Sequence, residues 1–77
     1  MYKVYALKSE KIDRVYVGMT ANLEKRLADH NLGRVFSTKG YRPWRIVFTE
    51  DCLDRMSARQ REKYWKSGYG KEFLKKL

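Results

Sequence analysis

The sequence predicts an α+β domain: a small three-stranded antiparallel sheet flanked by helices, in the order strand, strand, helix, strand, helix, short helix. Three observations lead there. Two runs rich in β-branched and aromatic residues, 2–7 and 15–17, are separated by a short polar stretch, as in a hairpin. Two later segments carry apolar residues at helical spacing, and between them Trp44, Ile46 and Phe48 alternate with Arg45, Val47 and Thr49. A chain of 77 residues has room for one core, so residues 1–77 are expected to form a single domain.

Val4, Tyr5 and Leu7 mark the first strand and Val15, Tyr16 and Val17 the second, with Ser9 to Asp13 as a connection longer than a two-residue turn. Gly18 is expected to end the second strand. From Thr20 onward Leu23 and Leu27 form one apolar stripe on an otherwise polar helix, capped by Thr20 or Asn22 and stopped by Gly33 in a left-handed conformation. Arg34 to Arg42 lacks periodicity and reads as a basic loop. Pro43 cannot donate to a strand ladder, so the third strand lies at an edge or begins after it. Ser57 followed by Gln60 is a capping-box pattern, which opens a helix running to Ser67. Gly68 and Gly70 should break that helix, leaving Lys71 to Leu77 as a last short one that buries Phe73, Leu74 and Leu77.

Eighteen Lys and Arg against nine Asp and Glu give a formal charge of +9, an excess that suits an acidic polymer as partner. With 43% hydrophobic and 14% aromatic residues the charge sits on a folded body and not on a disordered arm. Cys52 is the only cysteine, which excludes an intramolecular disulfide framework and a Cys-rich zinc site and fits a cytoplasmic protein. No apolar run approaches the ~18 residues of a membrane span or a signal peptide's core. No long helix pairs a Lys/Arg face with a Trp/Phe/Leu face, so nucleic acid is preferred over membrane as the partner.

Four groups of residues stand out chemically. Tyr5 and Tyr16, one on each hairpin strand, can meet as cross-strand neighbours, although tyrosines also serve simple strand packing. Asn22, Arg26 and His30 are spaced four apart, which sets a guanidinium and the only imidazole on one helix face. A single histidine cannot build a His-rich metal site, so its candidate work is proton transfer or phosphate binding; otherwise it is a solvated helix residue. Glu62 falls on the stripe between Ala58 and Trp65, where a carboxylate needs a salt bridge or a cation such as Mg2+. Arg34, Lys39, Arg42 and Arg45 interleave with Phe36, Tyr41 and Trp44, a mixture that either neutralises phosphates and stacks on bases or forms a solvated charged loop.

Lys3-Val4-Tyr5, Tyr16-Val17-Gly18, Thr20, Arg26, His30 and Glu62 together resemble the ordered motifs of the GIY-YIG endonuclease family, particularly small single-domain members related to the nuclease domain of the excision-repair C subunit. The resemblance covers nearly the whole chain. It implies hydrolysis of DNA phosphodiesters with one divalent metal ion, Mg2+ or Mn2+, in DNA repair or recombination. It would make Tyr5 and Tyr16 the tyrosines around the attacking water, Arg26 the cation on the scissile phosphate and Glu62 the sole protein ligand of the metal. His30 would assist proton transfer, and Gly18 would let the backbone approach the site, with Thr20 beside it. Larger relatives choose targets with a separate module that this chain lacks, so target preference is expected to come from this domain or from a protein partner. The family's asparagine after the metal-binding glutamate has no counterpart between Lys63 and Leu77. That leaves an alternative, a catalytically weak nucleic-acid-binding module that acts through a partner.

Overall fold

In the computed structural model, which describes residues 1–77, the chain forms β1 (Tyr2–Ser9), β2 (Val15–Thr20), α1 (Leu23–Asn31), a 3-10 turn (Lys39–Tyr41), β3 (Trp44–Cys52), α2 (Arg55–Lys66) and α3 (Gly68–Leu74). One antiparallel sheet of three strands runs in the order β2-β1-β3, giving the α+β architecture expected from the sequence. No helix is long and apolar enough to cross a membrane.

The first strand is the centre of the sheet. Val4, Tyr5, Ala6 and Leu7 are buried consecutively, where a strand covered on one face would alternate. Both faces of β1 are covered. Val4 and Ala6 pack with Val15, Val17, Ala58, Trp65 and Leu74 beneath α2 and α3. Tyr5 and Leu7 pack with Trp44, and Leu23 and Leu27 of α1 close over them.

The third strand begins directly after Pro43 and lies at an edge. Its pairing with β1 slips between Ala6, which faces Phe48, and Leu7, which faces Ile46, so Val47 is an extra residue. This bulge reverses the side-chain alternation. Trp44 joins the Tyr5 core while Phe48 packs on the opposite core, instead of the shared face that the regular spacing predicts.

Several boundaries differ from the sequence expectation. Gly18 lies inside β2, directly opposite Tyr5 in the ladder, and does not end the strand. Asn22 caps α1 by accepting the Lys25 N–H at 3.2 Å, while Thr20 accepts the Asn22 N–H at 3.0 Å and pins the strand-to-helix junction. Gly33, at φ 79°, follows as the left-handed stop. The next helix starts earlier than the Ser57 pattern implies, because Asp54 is its cap and accepts the Ser57 N–H at 2.8 Å. Gly68 and Gly70 lie within α3, whose cap is Ser67. A Cβ on Gly70 would stand 2.6 Å from the Tyr64 carbonyl oxygen, so the missing side chain is what lets α3 abut the end of α2. Starting at Gly68, the helix turns only Leu74 fully inward and leaves Phe73 and Leu77 largely exposed.

Candidate active site

The pleat of the hairpin sets Tyr5 and Tyr16 on one face. Tyr5 is paired with Gly18 and Tyr16 with Leu7, so the two tyrosines are diagonal neighbours with ring centroids 6.4 Å apart. The Tyr5 ring lies across Gly18, where a Cβ would stand 2.5 Å from its hydroxyl oxygen. A glycine is therefore required at this point of β2 for the Tyr5 hydroxyl to keep its place.

Helix α1 crosses the same face. Asn22 is used as its cap, and two turns further on His30 is completely buried. Its Nε2 lies 3.0 Å from the Tyr5 hydroxyl and its Nδ1 lies 2.8 Å from Oγ1 of Thr38, a buried residue of the basic loop. The imidazole also meets the Tyr16 ring edge to face, centroids 4.8 Å apart. Arg26 stands one turn before His30, beside both phenols; the Tyr5 hydroxyl holds its guanidinium firmly protonated.

These neighbours set the protonation states. Burial pushes the Tyr5 phenol up to about 12, against the opposing pull of Arg26 and with smaller upward contributions from Tyr16 and Glu62. Burial lowers His30 to about 4, and the Arg26 charge acts in the same direction. At neutral pH the pair is thus a phenol beside a neutral imidazole. Of the two tyrosines only Tyr16 reaches the surface, since Tyr5 is 1% exposed.

Glu62 projects from α2, and its charge is felt at Tyr5. Its side chain is 14% exposed and pairs with Lys66 Nζ at 3.3 Å. No group of three or more His, Cys, Asp or Glu side chains comes together anywhere in the chain. A cation here would have one carboxylate and would take its other oxygens from water and phosphate. That donor set fits Mg2+, which dehydrates reluctantly and is commonly held in this way.

The four basic residues singled out by sequence are all exposed, and each already has an internal partner. Arg34 pairs with Asp29 Oδ1 at 3.2 Å, and Arg45 with Glu10 at 3.9 Å. Arg42 donates to the Lys39 carbonyl at 2.7 Å, and the Lys39 ammonium sits 5.0 Å from the centre of the Phe36 ring. Of the three aromatics expected to stack on bases, only Phe36 is fully presented, at 86% exposure. Trp44 is drawn into the core, where its Nε1–H donates to the Thr38 carbonyl at 2.9 Å. Two residues of the site's frame escape sequence reasoning. Thr38 receives His30, and Asn31 ties the end of α1 to β3 by accepting the Trp44 N–H at 2.7 Å and donating to the Trp44 carbonyl at 3.1 Å. Polar side chains in or beside a polar loop carry no periodic signal that separates them from solvated ones.

Comparison with known proteins adds the family. The GIY-YIG catalytic domain matches residues 1–76. The structure-specific endonuclease subunit SLX1 of Candida glabrata is 35% identical over 82 aligned positions, covering 96% of this chain and 26% of that protein. A UPF0213 protein of Clostridium perfringens is 40% identical over 67 positions, covering 86% of this chain and 71% of its own length. Human SLX1 is 39% identical over 51 positions, covering 61% of this chain and 18% of that protein. No solved structure matches at comparable stringency.

Proposed function

This chain belongs to the GIY-YIG catalytic-domain family, and from that membership we propose that it is a divalent-metal-dependent endonuclease that hydrolyses DNA phosphodiesters. The observation that supports this best is the Tyr5–His30 hydrogen bond, flanked by Tyr16 and Arg26 on the face that the basic loop borders. Hydrolysis needs an oriented water, a proton acceptor and a cation on the pentavalent phosphate. Tyr16, at the surface, orients the water. Its proton passes to the Tyr5 oxygen as the Tyr5 proton passes inward to His30 Nε2, which is neutral and able to accept it. Burial and Arg26 hold the imidazole at about 4, so the relay depends on the charge of the bound phosphodiester, which offsets Arg26 and raises the affinity of His30 for the proton. Arg26 binds the scissile phosphate and gathers the negative charge that develops there. Glu62 would hold the metal ion, Mg2+ or Mn2+, which when bound supplies positive charge beside the leaving oxygen.

The fungal and human relatives are named as subunits of structure-specific endonucleases, which supports branched DNA as the first substrate to try and a partner subunit for target choice. The test is cleavage of supercoiled, linear and branched DNA with Mg2+ or Mn2+. Glu62→Ala is expected to lower the rate ~10²-fold or more while leaving DNA affinity in place. Purified protein that binds these DNAs and cuts none would sink the enzymatic reading and leave a binding module.

A further inference from the structure

Thr38 is 1% exposed in the middle of an otherwise wet, basic loop. Loop side chains are usually solvated, so its burial needs a reason. Its backbone is fixed from two sides, by its N–H donating to the Val35 carbonyl at 3.1 Å and by its carbonyl accepting from Trp44 Nε1 at 2.9 Å. That places Oγ1 2.8 Å from His30 Nδ1 and 3.3 Å from the Val35 carbonyl oxygen.

The direction of each hydrogen bond follows from counting protons, starting at Tyr5. Its buried hydroxyl has one acceptor at hydrogen-bond distance, His30 Nε2; the Arg26 guanidinium beside it can only donate, and Tyr16 and Glu62 act on it through charge alone, without a hydrogen bond. Tyr5 must therefore donate to Nε2. A neutral imidazole carries one proton, which then sits on Nδ1 and is donated to Thr38 Oγ1. The Thr38 hydroxyl proton remains for the Val35 carbonyl. Every donor in the chain finds an acceptor in this direction. In the reverse direction the Tyr5 proton is buried with none, at a cost of about 1–3 kcal/mol.

We propose that Thr38 is a positioning residue for His30: by accepting the Nδ1 proton it keeps Nε2 bare toward Tyr5, and it thereby links the seat of the Arg34–Arg42 loop to the readiness of the Tyr5–His30 pair. The consequence for cleavage rests on the nuclease reading; the consequence for the imidazole does not. A loop drawn toward or away from the body by a bound DNA strand would carry Thr38 with it. The same loop thus holds phosphate-binding cations on its outside and the tautomer-setting hydroxyl on its inside.

Nitrogen-15 NMR of the imidazole tests this directly, because His30 is the only histidine and its signals need no separation from others. The wild-type protein should show a protonated Nδ1 and a bare Nε2; a ring protonated on Nε2 overturns the proposal. Thr38→Val keeps the shape and removes the acceptor, so the ring should shift toward the Nε2–H form. Cleavage should fall roughly 10–100-fold, as for lost partners that orient a functional histidine, with little change in DNA affinity. Thr38→Ser should restore both ring state and rate. A Thr38→Val protein that keeps the wild-type tautomer and rate overturns the positioning role. If that variant does not fold, the wild-type spectrum and Thr38→Ser decide. A protein that cuts no DNA yet shows the expected ring states would count against the nuclease reading alone.

Discussion

His30 is held neutral inside the protein and would be free to charge outside it, which makes it a stability switch. Its folded value of about 4 lies below the ordinary 6.5, so the unfolded chain binds the extra proton first as pH falls. Its contribution is fully present above pH ~6.5 and fades as pH drops toward 4. Urea unfolding at pH 7 and at pH 5 should differ by about 2 kcal/mol, with the protein weaker at pH 5. His30→Gln should remove most of that difference; an equal pH dependence in the variant would show that other groups carry it. At this scale the sequence was informative where backbone geometry fixes side-chain direction. Residues four apart on α1 had to share a face, and that set Arg26 and His30 beside the tyrosines. It was silent on Thr38, since a threonine in a basic loop looks the same whether it meets water or an imidazole. It also misplaced Trp44 as a stacking residue, because a tryptophan where a basic loop meets a strand reads the same whether it faces solvent or the core.

The corner between α2 and α3 shows why element boundaries were harder to read than the elements themselves. Two glycines within three residues look like a break, yet each does something different. Gly70 is a packing necessity, with a Cβ there meeting the α2 backbone 2.6 Å from the Tyr64 oxygen and 2.7 Å from the Trp65 Cα. Gly68 faces open space, with nothing within 4 Å of a Cβ. Gly70→Ala should therefore destabilise the fold by about 1–3 kcal/mol through overpacking against an unyielding backbone. Gly68→Ala should be neutral or stabilising by up to about 1 kcal/mol through helix propensity. Thermal unfolding of the two variants reads the contrast, and equal melting temperatures would refute it. The same lesson applies at the start of α2, where Ser57 fits a capping box but Asp54, three residues earlier, offers an acceptor to the Ser57 N–H. Two overlapping cap signals in one stretch are separated only by which residue the preceding strand leaves at the junction.

Over the whole molecule the ion pairs engage Lys3, Lys25, Arg34, Arg45, Arg61 and Lys66, and the remaining Lys and Arg, most of the eighteen, have no acidic partner. DNA binding should then be dominated by counterion release, with a contact of ~4 phosphates giving a log–log salt slope near −0.9 per phosphate. Replacing Arg34, Lys39 and Arg42 together with Gln should flatten that slope by roughly 1–3 units. Arg34→Gln alone should change it less than Lys39→Gln, because Asp29 already offsets the Arg34 charge. Affinity measured across a salt series without metal checks both, and an unaltered slope in the triple variant would move the binding face to the lysines of α2 and α3. The central place of β1 has a consequence during synthesis. Of the three strands of the sheet, the one synthesised first is completed last, because Tyr2 pairs with Cys52 and Ser9 with Trp44. Until residues 44–52 have emerged, one edge of β1 has no neighbour, and its four consecutive core side chains lack part of their cover. An open, apolar edge is a template for strands of other chains. Nascent chains stalled before β3 should thus be the aggregation-prone species of this protein, and release of β3 the step that makes it safe.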